Sequence, residues 1–409
     1  MNILLLGASG FIGNAIFNSL SSEHKVTAGG RRKLDGMKFW KYADFSVRTD
    51  WDEILQGIDL VINAVGIVEG DFRRIQTETP LELYESCIRK KIRIIHISAI
   101  GAEKEKPVSE FLSTKKETDS FLLNYENARI IYPGIVLGKN GKSSQFFAEV
   151  ASLPAVPVLS DEKMPFIHIS QLVILVEEVI KNFIEYPKQI FALSEPEEIQ
   201  EIYNAMRGRE ALFFKIPSFL MNVFFFLFPS ARIGIFQKDL FKIMQTVNAD
   251  DYIKKDNINL AEEDGKIKPS GTVVFPSVSG QLQSSEITAS DSLSYAVSLL
   301  SVSFIWIWSA VSSLVSWDVS YQLMKETGAG HDLSAASIWA GSIADLVMGY
   351  LVFIKKYRKR ILLLQILLVL TYTAILTVFA SHHWFHPFGT VAKNIPLLAL
   401  SLHLYLRVR

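Results

Sequence analysis

The amino-acid sequence predicts two architectures in one chain: an α/β fold with a doubly wound parallel sheet, followed by an all-α domain of four membrane-spanning helices. Three observations lead to this prediction. Residues 1–205 alternate short β-branched or apolar runs with longer amphipathic stretches, and a glycine-rich turn follows the first run. Residues 292–317 contain no charged side chain over a length sufficient to cross a bilayer.

Residues 1–205 are predicted to form a Rossmann domain, because strands that alternate with helices build a parallel sheet. Helices are expected between the strands. The predicted strands are Asn2 to Leu6, Lys25 to Ala28, Leu60 to Ala64, Arg93 to Ser98, Arg129 to Tyr132 and Phe191 to Leu193. The apolar start of the chain lacks a basic segment before it and is interrupted by Gly7, so we interpret it as a strand and not as a signal peptide.

Composition excludes several function classes. Lys plus Arg and Asp plus Glu both number 42 in 409 residues, which gives no overall basic character for binding nucleic acid. The single cysteine, Cys87, excludes an internal disulfide framework and offers no metal-ligand spacing. We therefore expect no structural metal site in the soluble part and interpret Cys87 as a core residue.

Residues 206–276 are expected to be a C-terminal subdomain of the soluble part, and the serine-rich residues 277–291 a linker. Within the subdomain, residues 217–229 form an apolar run that is too short to cross a bilayer. Two interpretations stay open for it: a buried helix, or a helix lying at the membrane surface. Three consecutive phenylalanines favour the surface helix.

Four segments of residues 292–409 are predicted to span the membrane: 292–317, 333–354, 361–380 and 394–406. The last is the shortest and least apolar. The basic segment Lys355 to Arg360 lies between the second and third spans, and the chain ends with two further arginines, so positive charge clusters at alternate ends of the spans. This pattern predicts an integral, multi-pass protein of the cytoplasmic or inner membrane, with the soluble domain and both termini cytoplasmic.

The strongest functional motif is the turn after the first strand, which consists of Gly7, Ala8, Ser9, Gly10, Phe11, Ile12 and Gly13. Glycines allow a tight turn, let the backbone approach a pyrophosphate and let the following helix pack closely on the sheet. After the second strand come Arg31 and Arg32, at the place where an acidic side chain would bind a ribose 2′-hydroxyl. Arginine instead matches a 2′-phosphate, so the sequence predicts that NADP(H) is preferred over NAD(H). The alternative for the two arginines is a solvated turn.

Residues 1–200 resemble the atypical short-chain dehydrogenase/reductase superfamily, in particular its NmrA-like members and the NADPH-binding accessory subunits of complex I. Besides the glycine-rich turn, the resemblance rests on segments placed like the family's cofactor-binding and catalytic motifs. These segments contain Asp44, Asn63, Ala64, Val65, Gly66, His96, Ser98, Lys115, Tyr132, Pro133, Gly134, Ile135 and Pro165 to Ser170. The resemblance implies that Asp44 meets the adenine, that Ser98 orients a substrate carbonyl and that Lys115 holds the nicotinamide ribose.

The sequence departs from the family at the catalytic tyrosine expected four residues before Lys115. Position 111 is phenylalanine, which has no proton to give, so carbonyl reduction lacks its usual acid. His96 lies on the same strand as Ser98 and is a candidate proton donor; its alternative is a buried histidine with structural hydrogen bonds.

The membrane domain resembles the DoxX-like family of small four-helix membrane proteins, on helix number, span length and the fusion itself. Asp345 within a span is either a functional site or a structurally paired acid. His382, His383 and His386 lie beside Trp384 at the outer end of the third span. Side chains placed at the membrane interface are the commoner explanation of such a group, and metal or heme ligation is the alternative.

Two functions of different class follow from the resemblance. The first is a membrane-anchored oxidoreductase or epimerase-like enzyme acting on a lipophilic or quinone-like small molecule at the bilayer. The second is a non-catalytic NADPH-binding sensor, or an accessory or assembly protein that binds subunits of a membrane complex. Phe111 discriminates between them, because it removes the usual acid of the first.

Overall fold

The structure, a computed structural model, separates into two compact units. The N-terminal unit comprises Met1–Met221 and Ile235–Ser290, and the helical unit comprises Asn222–Gly234 and Asp291–Arg409. The structure describes residues 1–33, 36–67, 69–159, 163–227, 238–253, 258–260, 267–282, 292–326, 330–379, 381–385 and 391–408. His386 and residues 283–291 of the expected linker lie outside the described residues.

Strands and helices alternate along the N-terminal unit. The strands are β1 Asn2–Leu6, β2 Lys25–Gly30, β3 Phe39–Tyr42, β4 Leu60–Asn63, β5 Arg93–Ile97, β6 Ala128–Pro133, β7 Ile135–Leu137, β8 Ala155–Val158, β9 Phe166–His168, β10 Gln189–Ser194, β11 Leu212–Lys215, β12 Ile258–Leu260 and β13 Thr272–Phe275. The helices are α1 Phe11–Leu20, α2 Trp51–Ile54, α3 Thr79–Arg89, α4 Glu110–Leu122, α5 Lys142–Ala151, α6 Ile169–Lys181, α7 Ile199–Arg207, α8 Ser218–Leu227, α9 Lys238–Thr246 and α10 Asp250–Ile253.

Within the described residues, nine strands form one parallel sheet in the order β12-β13-β10-β6-β5-β4-β1-β2-β3. From β3 to β6 this is the strand order of a doubly wound dinucleotide-binding sheet, and the order reverses between β1 and β4. The predicted Rossmann fold is therefore confirmed. Two short parallel pairs, β7 with β9 and β8 with β11, lie outside the main sheet.

Both faces of the sheet are buried, as parallel sheets require. In β1, Ile3 and Leu5 pack into one core cluster with α1 and α6, whereas Leu4 and Leu6 pack into a second cluster with α3 and α4. In β5, Ile95 and Ile97 belong to the first cluster and Ile94 to the second. Since side chains alternate along a strand, His96 and Ser98 share the side of Ile94, which faces α3 and α4.

The helical unit contains α11 Ser292–Val315, α12 Trp317–Glu326, α13 His331–Leu351, α14 Lys355–Phe379 and α15 Asn394–Arg407. Each of the four predicted spans corresponds to one of these helices, and α12 was not predicted. Within the described residues, two helices are long and apolar enough to cross a membrane, Ser294–Val315 and Lys355–Phe379. The basic segment Lys355 to Arg360 forms the first turns of α14 instead of a loop.

The end of α8 belongs to the helical unit, where Phe224 packs against the core cluster of that unit. On the same helix Phe219, Val223 and Phe226 are exposed, while Phe225 is buried. The segment thus exposes most of its large apolar side chains, which is the pattern that a helix at the membrane surface requires. Its placement at the membrane surface stays a prediction.

Asp345 on α13 is buried and has a hydrogen-bonding partner on the neighbouring helix α11, the hydroxyl of Ser309. Close to it, Ser303 of α11 donates a hydrogen bond to the Gly349 carbonyl of α13 over 2.8 Å. A buried acid in a membrane helix is expensive unless it is paired. This contact is the kind expected if Asp345 has a structural role.

Candidate cofactor site

The glycine-rich turn between β1 and α1 has the backbone that a phosphate-binding turn needs. Gly7 has a φ of +81°, and its carbonyl accepts a hydrogen bond from the Gly10 amide over 2.8 Å. A Cβ atom on Gly13 would lie 2.1 Å from the Gly7 carbonyl oxygen, so no larger residue fits there. Gly10 caps the N-terminus of α1 without a side-chain cap bond, which leaves that positive helix end to the backbone amides.

The turn lies against the end of β4, at the point where the strand order reverses. A Cβ atom on Gly7 would lie 2.8 Å from the carbonyl of Ala64 and 2.9 Å from the Val65 amide. The structure thus brings the predicted segment Ala64 to Gly66 next to the glycine-rich turn. The crevice at such a reversal is where doubly wound sheets bind dinucleotides.

The other residues of the motif lie around α1. Ser9 is exposed, and Phe11 and Ile12 are half-buried and pack against the first core cluster. The Phe11 ring also contacts the turn before α5, because a Cβ atom on Gly141 would lie 2.9 Å from it.

Arg31 and Asp44 follow two paired strands, β2 and β3, at the same edge of the sheet. Arg31 and Arg32 are exposed. A hydrogen bond from Ser46 holds the pKa of Asp44 below its usual value, and the nearby charge of Arg31 acts in the same direction. Two exposed arginines and one ionised carboxylate therefore stand after the ends of β2 and β3, where the sequence predicts binding of the adenosine part of the cofactor.

Phe111, at the position where the resemblance predicts a catalytic tyrosine, lies near the start of α4. Its ring packs edge-on against Phe72, with 6.2 Å between ring centroids. Lys115 lies one helical turn further along α4, with its Nζ 5.7 Å from the centre of the Phe111 ring. Lys115 is buried and donates a hydrogen bond of 3.0 Å to the Ile97 carbonyl. The lysine is thus positioned at the end of β5, beside a phenyl ring that has no hydroxyl.

Behind Phe111 runs a buried chain of hydrogen bonds whose direction the backbone fixes. The Val65 amide donates to Oδ1 of Asn63 over 3.0 Å, so the amide nitrogen of Asn63 faces Tyr84 and donates to its hydroxyl over 2.8 Å. The Tyr84 hydroxyl must then donate its own proton to Nδ1 of His96, 2.7 Å away.

Next to His96 lies the buried side chain of Asp119, a residue that the sequence motifs did not identify. Nε2 of His96 and Oδ1 of Asp119 are 3.4 Å apart, but neither atom makes a hydrogen bond to the described residues. The Ser98 hydroxyl donates to Oδ2 of the same carboxylate over 2.6 Å. Ser98 has only one proton, so it cannot also donate to a substrate carbonyl while Asp119 is ionised.

Burial decides the protonation of these groups. It raises the pKa of Asp119 to about 7, against the hydrogen bond from Ser98 and the charge of Lys115. It lowers the pKa of Lys115 to about 8, although Asp119 opposes the shift. Burial also lowers the pKa of His96 well below its usual value. A pKa lowered by burial favours the neutral imidazole at physiological pH, and the role of His96 as a proton donor stays a prediction.

The segment from Tyr132 to Ile135 makes core and backbone contacts, and its binding of the cofactor stays a prediction. Tyr132 is fully buried and stacks on Phe191, with ring centroids 5.0 Å apart, and its hydroxyl joins the buried chain at Asp119. A Cβ atom on Gly134 would lie 2.3 Å from the Pro165 carbonyl, so this glycine allows two segments to touch. The Ile135 amide donates to that carbonyl over 2.7 Å, which starts the pairing of β7 with β9.

Two family models match parts of the chain. Residues 3–121 match the NAD dependent epimerase/dehydratase family, and residues 303–402 match the DoxX-like family. The chain therefore carries an NAD-dependent epimerase/dehydratase-type domain of the short-chain dehydrogenase/reductase superfamily, followed by a DoxX-like membrane domain, as the motifs predicted. The first family implies binding of NAD(P), and the second indicates a membrane protein.

Solved structures similar to this chain include the following three. MoeE5 in complex with UDP-glucose and NAD is 15% identical with a TM-score of 0.44, over 53% of this chain and 86% of that one. UDP-N-acetylglucosamine 4-epimerase from Bacillus cereus is 16% identical with a TM-score of 0.43, over 53% and 88%. A hypothetical dTDP-4-dehydrorhamnose reductase from Sulfolobus tokodaii is 17% identical with a TM-score of 0.44, over 53% and 86%. A search of curated proteins finds no match.

Proposed function

We propose that the chain is a membrane-anchored NADP(H)-binding protein of the atypical short-chain dehydrogenase/reductase type, whose bound cofactor serves as a sensor or assembly signal for membrane subunits. One observation carries this proposal. While Asp119 is ionised, Ser98 donates its proton to that carboxylate, and position 111 carries a phenyl ring packed on Phe72. The two side chains that would direct a proton to a substrate carbonyl are thus both withdrawn from that task.

The groups that would bind the cofactor are the glycine-rich turn, the N-terminus of α1 and Lys115. The glycine-rich turn and the N-terminus of α1 accept a pyrophosphate, because backbone amides and the helix dipole favour negative charge there. Lys115 has two ammonium protons beyond the one given to the Ile97 carbonyl, and these can bind the hydroxyls of the nicotinamide ribose. A bound nicotinamide would supply hydride chemistry at this end of the site.

NADP(H) specificity is the finer part of the proposal, and exposed Arg31 and Arg32 support it. Guanidinium groups bind phosphate oxygens in pairs, and an exposed turn can bring both to a 2′-phosphate. We expect the full chain in detergent to bind NADPH about tenfold or more tightly than NADH. The double variant Arg31→Ala/Arg32→Ala should lose this preference and leave NADH binding unchanged.

Fluorescence titration of both cofactors tests the preference, with Arg209→Ala as the control because Arg209 is an exposed arginine that follows α7 and belongs to none of the predicted cofactor motifs. If wild type binds NADH more tightly than NADPH, the proposed preference for NADP(H) is wrong. If neither cofactor binds to the folded chain, the cofactor site itself is wrong.

A second function, hydride transfer to a lipophilic or quinone-like acceptor or an epimerase-like reaction, is favoured by one observation. Lys115 remains at the end of β5 with its ammonium group beside the ring of residue 111. The resemblance to NmrA-like proteins and complex I accessory subunits is compatible with either function. A proton for this reaction would come from water or from the acceptor itself.

Phe111→Tyr separates the two functions, with Phe121→Tyr on the same helix as the control. If the site is intact apart from its acid, Phe111→Tyr should gain NADPH-dependent reduction of lipophilic ketones by about 100-fold or more, the usual contribution of a positioned acid. The wild type should bind NADPH without oxidising it. Wild-type oxidation of NADPH by a quinone would instead establish the second function.

A further inference from the structure

The helical unit brings one carboxylate and two imidazoles together at the end of α12. Glu326 is the last residue of α12, and His382 and His383 lie in a short turn after α14. Oε2 of Glu326 lies 3.3 Å from Nε2 of His383 and 3.7 Å from Nε2 of His382. One atom from each of the three side chains lies within 4.8 Å of the other two. Three good metal ligands from two separate segments therefore converge.

The spacing is that of a tetrahedral transition-metal site. Ligand bonds of about 2.0–2.2 Å to Zn²⁺ place neighbouring ligand atoms roughly 3.3–3.6 Å apart along the edge of a tetrahedron. The 3.3 Å between Oε2 of Glu326 and Nε2 of His383 matches that edge, and the 3.7 Å to Nε2 of His382 is slightly longer. His382 is largely exposed, which leaves a side open for a water molecule as the fourth ligand.

Electrostatics favour a cation at this place. The Glu326 carboxylate stands at the negative C-terminal end of α12, where the helix dipole disfavours an acid and favours a positive charge. The rings of His382 and His383 lie with centroids 4.2 Å apart, so both imidazoles stand beside the same carboxylate.

The turn that carries the histidines is held in position independently of any ion. The indole nitrogen of Trp384 donates a hydrogen bond of 3.0 Å to the Thr377 hydroxyl in the last turns of α14. This bond fixes the direction of the turn relative to α14, so His382 and His383 are presented to α12 by a braced segment. Such preorganisation lowers the cost of assembling the ligands.

We propose that Glu326, His382 and His383 form a site for a divalent transition-metal ion such as Zn²⁺, which joins the end of α12 to the turn after α14. The nitrogen-rich ligand set selects transition metals over Mg²⁺ and Ca²⁺, which prefer oxygen ligands. The site lies in the helical unit and does not depend on the cofactor.

The test uses the full chain in detergent, stripped with a chelator and then loaded with Zn²⁺ or Co²⁺. We expect one metal ion per chain by elemental analysis, visible absorption bands of tetrahedral Co²⁺, and a thermal midpoint that rises with Zn²⁺ but not with Mg²⁺. Glu326→Gln and His383→Ala should each weaken binding about tenfold or more. His403→Ala, a histidine on α15, is the matched control and should bind like wild type.

Chemical modification of the wild-type chain is a second test, and it does not depend on whether the variants fold. Zn²⁺ should protect His382 and His383, but not His403, from modification by diethyl pyrocarbonate, as read by mass spectrometry. Equal modification with and without Zn²⁺ overturns the proposal. So does an unchanged metal content when Glu326, His382 and His383 are replaced together in a chain that still elutes as one species.

Discussion

The buried carboxylate of Asp119 sets what Ser98 can do. In its ionised form Asp119 takes the Ser98 proton, and Ser98 is then only an acceptor. In its protonated form the carboxyl can donate to Ser98, which frees the serine proton to point towards a ligand. His96, Lys115 and Tyr132 face Asp119 from β5, α4 and β6, and the charge of Glu103 also acts on it. One proton on this carboxyl therefore reverses the hydrogen-bonding direction of the serine.

The same groups predict how stability depends on pH. The pKa of Asp119 is raised by burial to about 7, so between about pH 4 and 7 the folded chain binds a proton that the unfolded chain does not, and stability falls as pH rises. The pKa of Lys115 is lowered by burial to about 8, so above pH 8 the unfolded chain binds more protons and stability rises again. We expect a minimum between pH 7 and 8.

Thermal unfolding of the full chain at pH 5, 7.5 and 9.5 measures this profile. Asp119→Asn keeps the acceptor for Ser98 and should remove the fall below pH 7, which amounts to roughly 2 kcal/mol. Asp52→Asn, an exposed carboxyl, should retain it. A wild-type stability that rises steadily from pH 5 to 7.5 would show that Asp119 is ionised throughout.

Among the strands of the sheet, the central ones could be predicted from the sequence, and those towards its two edges could not. Residues of β1, β4 and β5 are buried on both faces, so they form continuous apolar runs bounded by turns. The edge strand β3 was missed because it is half-exposed and contains Lys41. The strand β13 is fully buried but isolated in a mixed segment, and only its β-branched run TVVF signalled it.

Site residues, too, could be predicted from the sequence only where their contacts are local. The glycine-rich turn was predictable because its glycines are required by contacts within a few residues and with the end of β4. Asp119 and Tyr84 were not, because they join the chain of hydrogen bonds from α4 and α3 through tertiary packing. The one sequence signal for Asp119 is its place one helical turn after Lys115, a polar residue on the buried face of α4.

Helix packing in the helical unit makes an element-scale prediction at Gly349. A Cβ atom there would lie 2.7 Å from the Ile307 side chain and 3.2 Å from the Ser303 carbonyl, so α11 and α13 approach closely because the residue is glycine. Gly349→Ala should destabilise the helical unit by roughly 1–3 kcal/mol through overpacking. Gly341→Ala, where the space is open, is the matched control and should be neutral. Thermal unfolding in detergent compares the two, and equal midpoints would contradict the tight crossing.

At the scale of the whole molecule, the basic residues at the start of α14 predict an orientation in the membrane. By the positive-inside rule we expect Lys355 to Arg360 in the cytoplasm, and the other end of α14, with Ser381, on the opposite side. The chain suits a labelling test because its one native cysteine, Cys87, is buried, and burial raises the pKa of this thiol to about 12. Wild type should therefore scarcely react with a maleimide.

Single substitutions Lys356→Cys and Ser381→Cys then report each side of the membrane against this low background. In right-side-out cells, a membrane-impermeant maleimide should label Ser381→Cys and leave Lys356→Cys unmodified; inside-out vesicles should give the reverse. The two sites lie at opposite ends of one apolar helix, so opposite labelling requires that α14 crosses the bilayer. Labelling of both sites from the same side would mean that α14 does not span the membrane, and the predicted cytoplasmic placement of the N-terminal unit would fall with it.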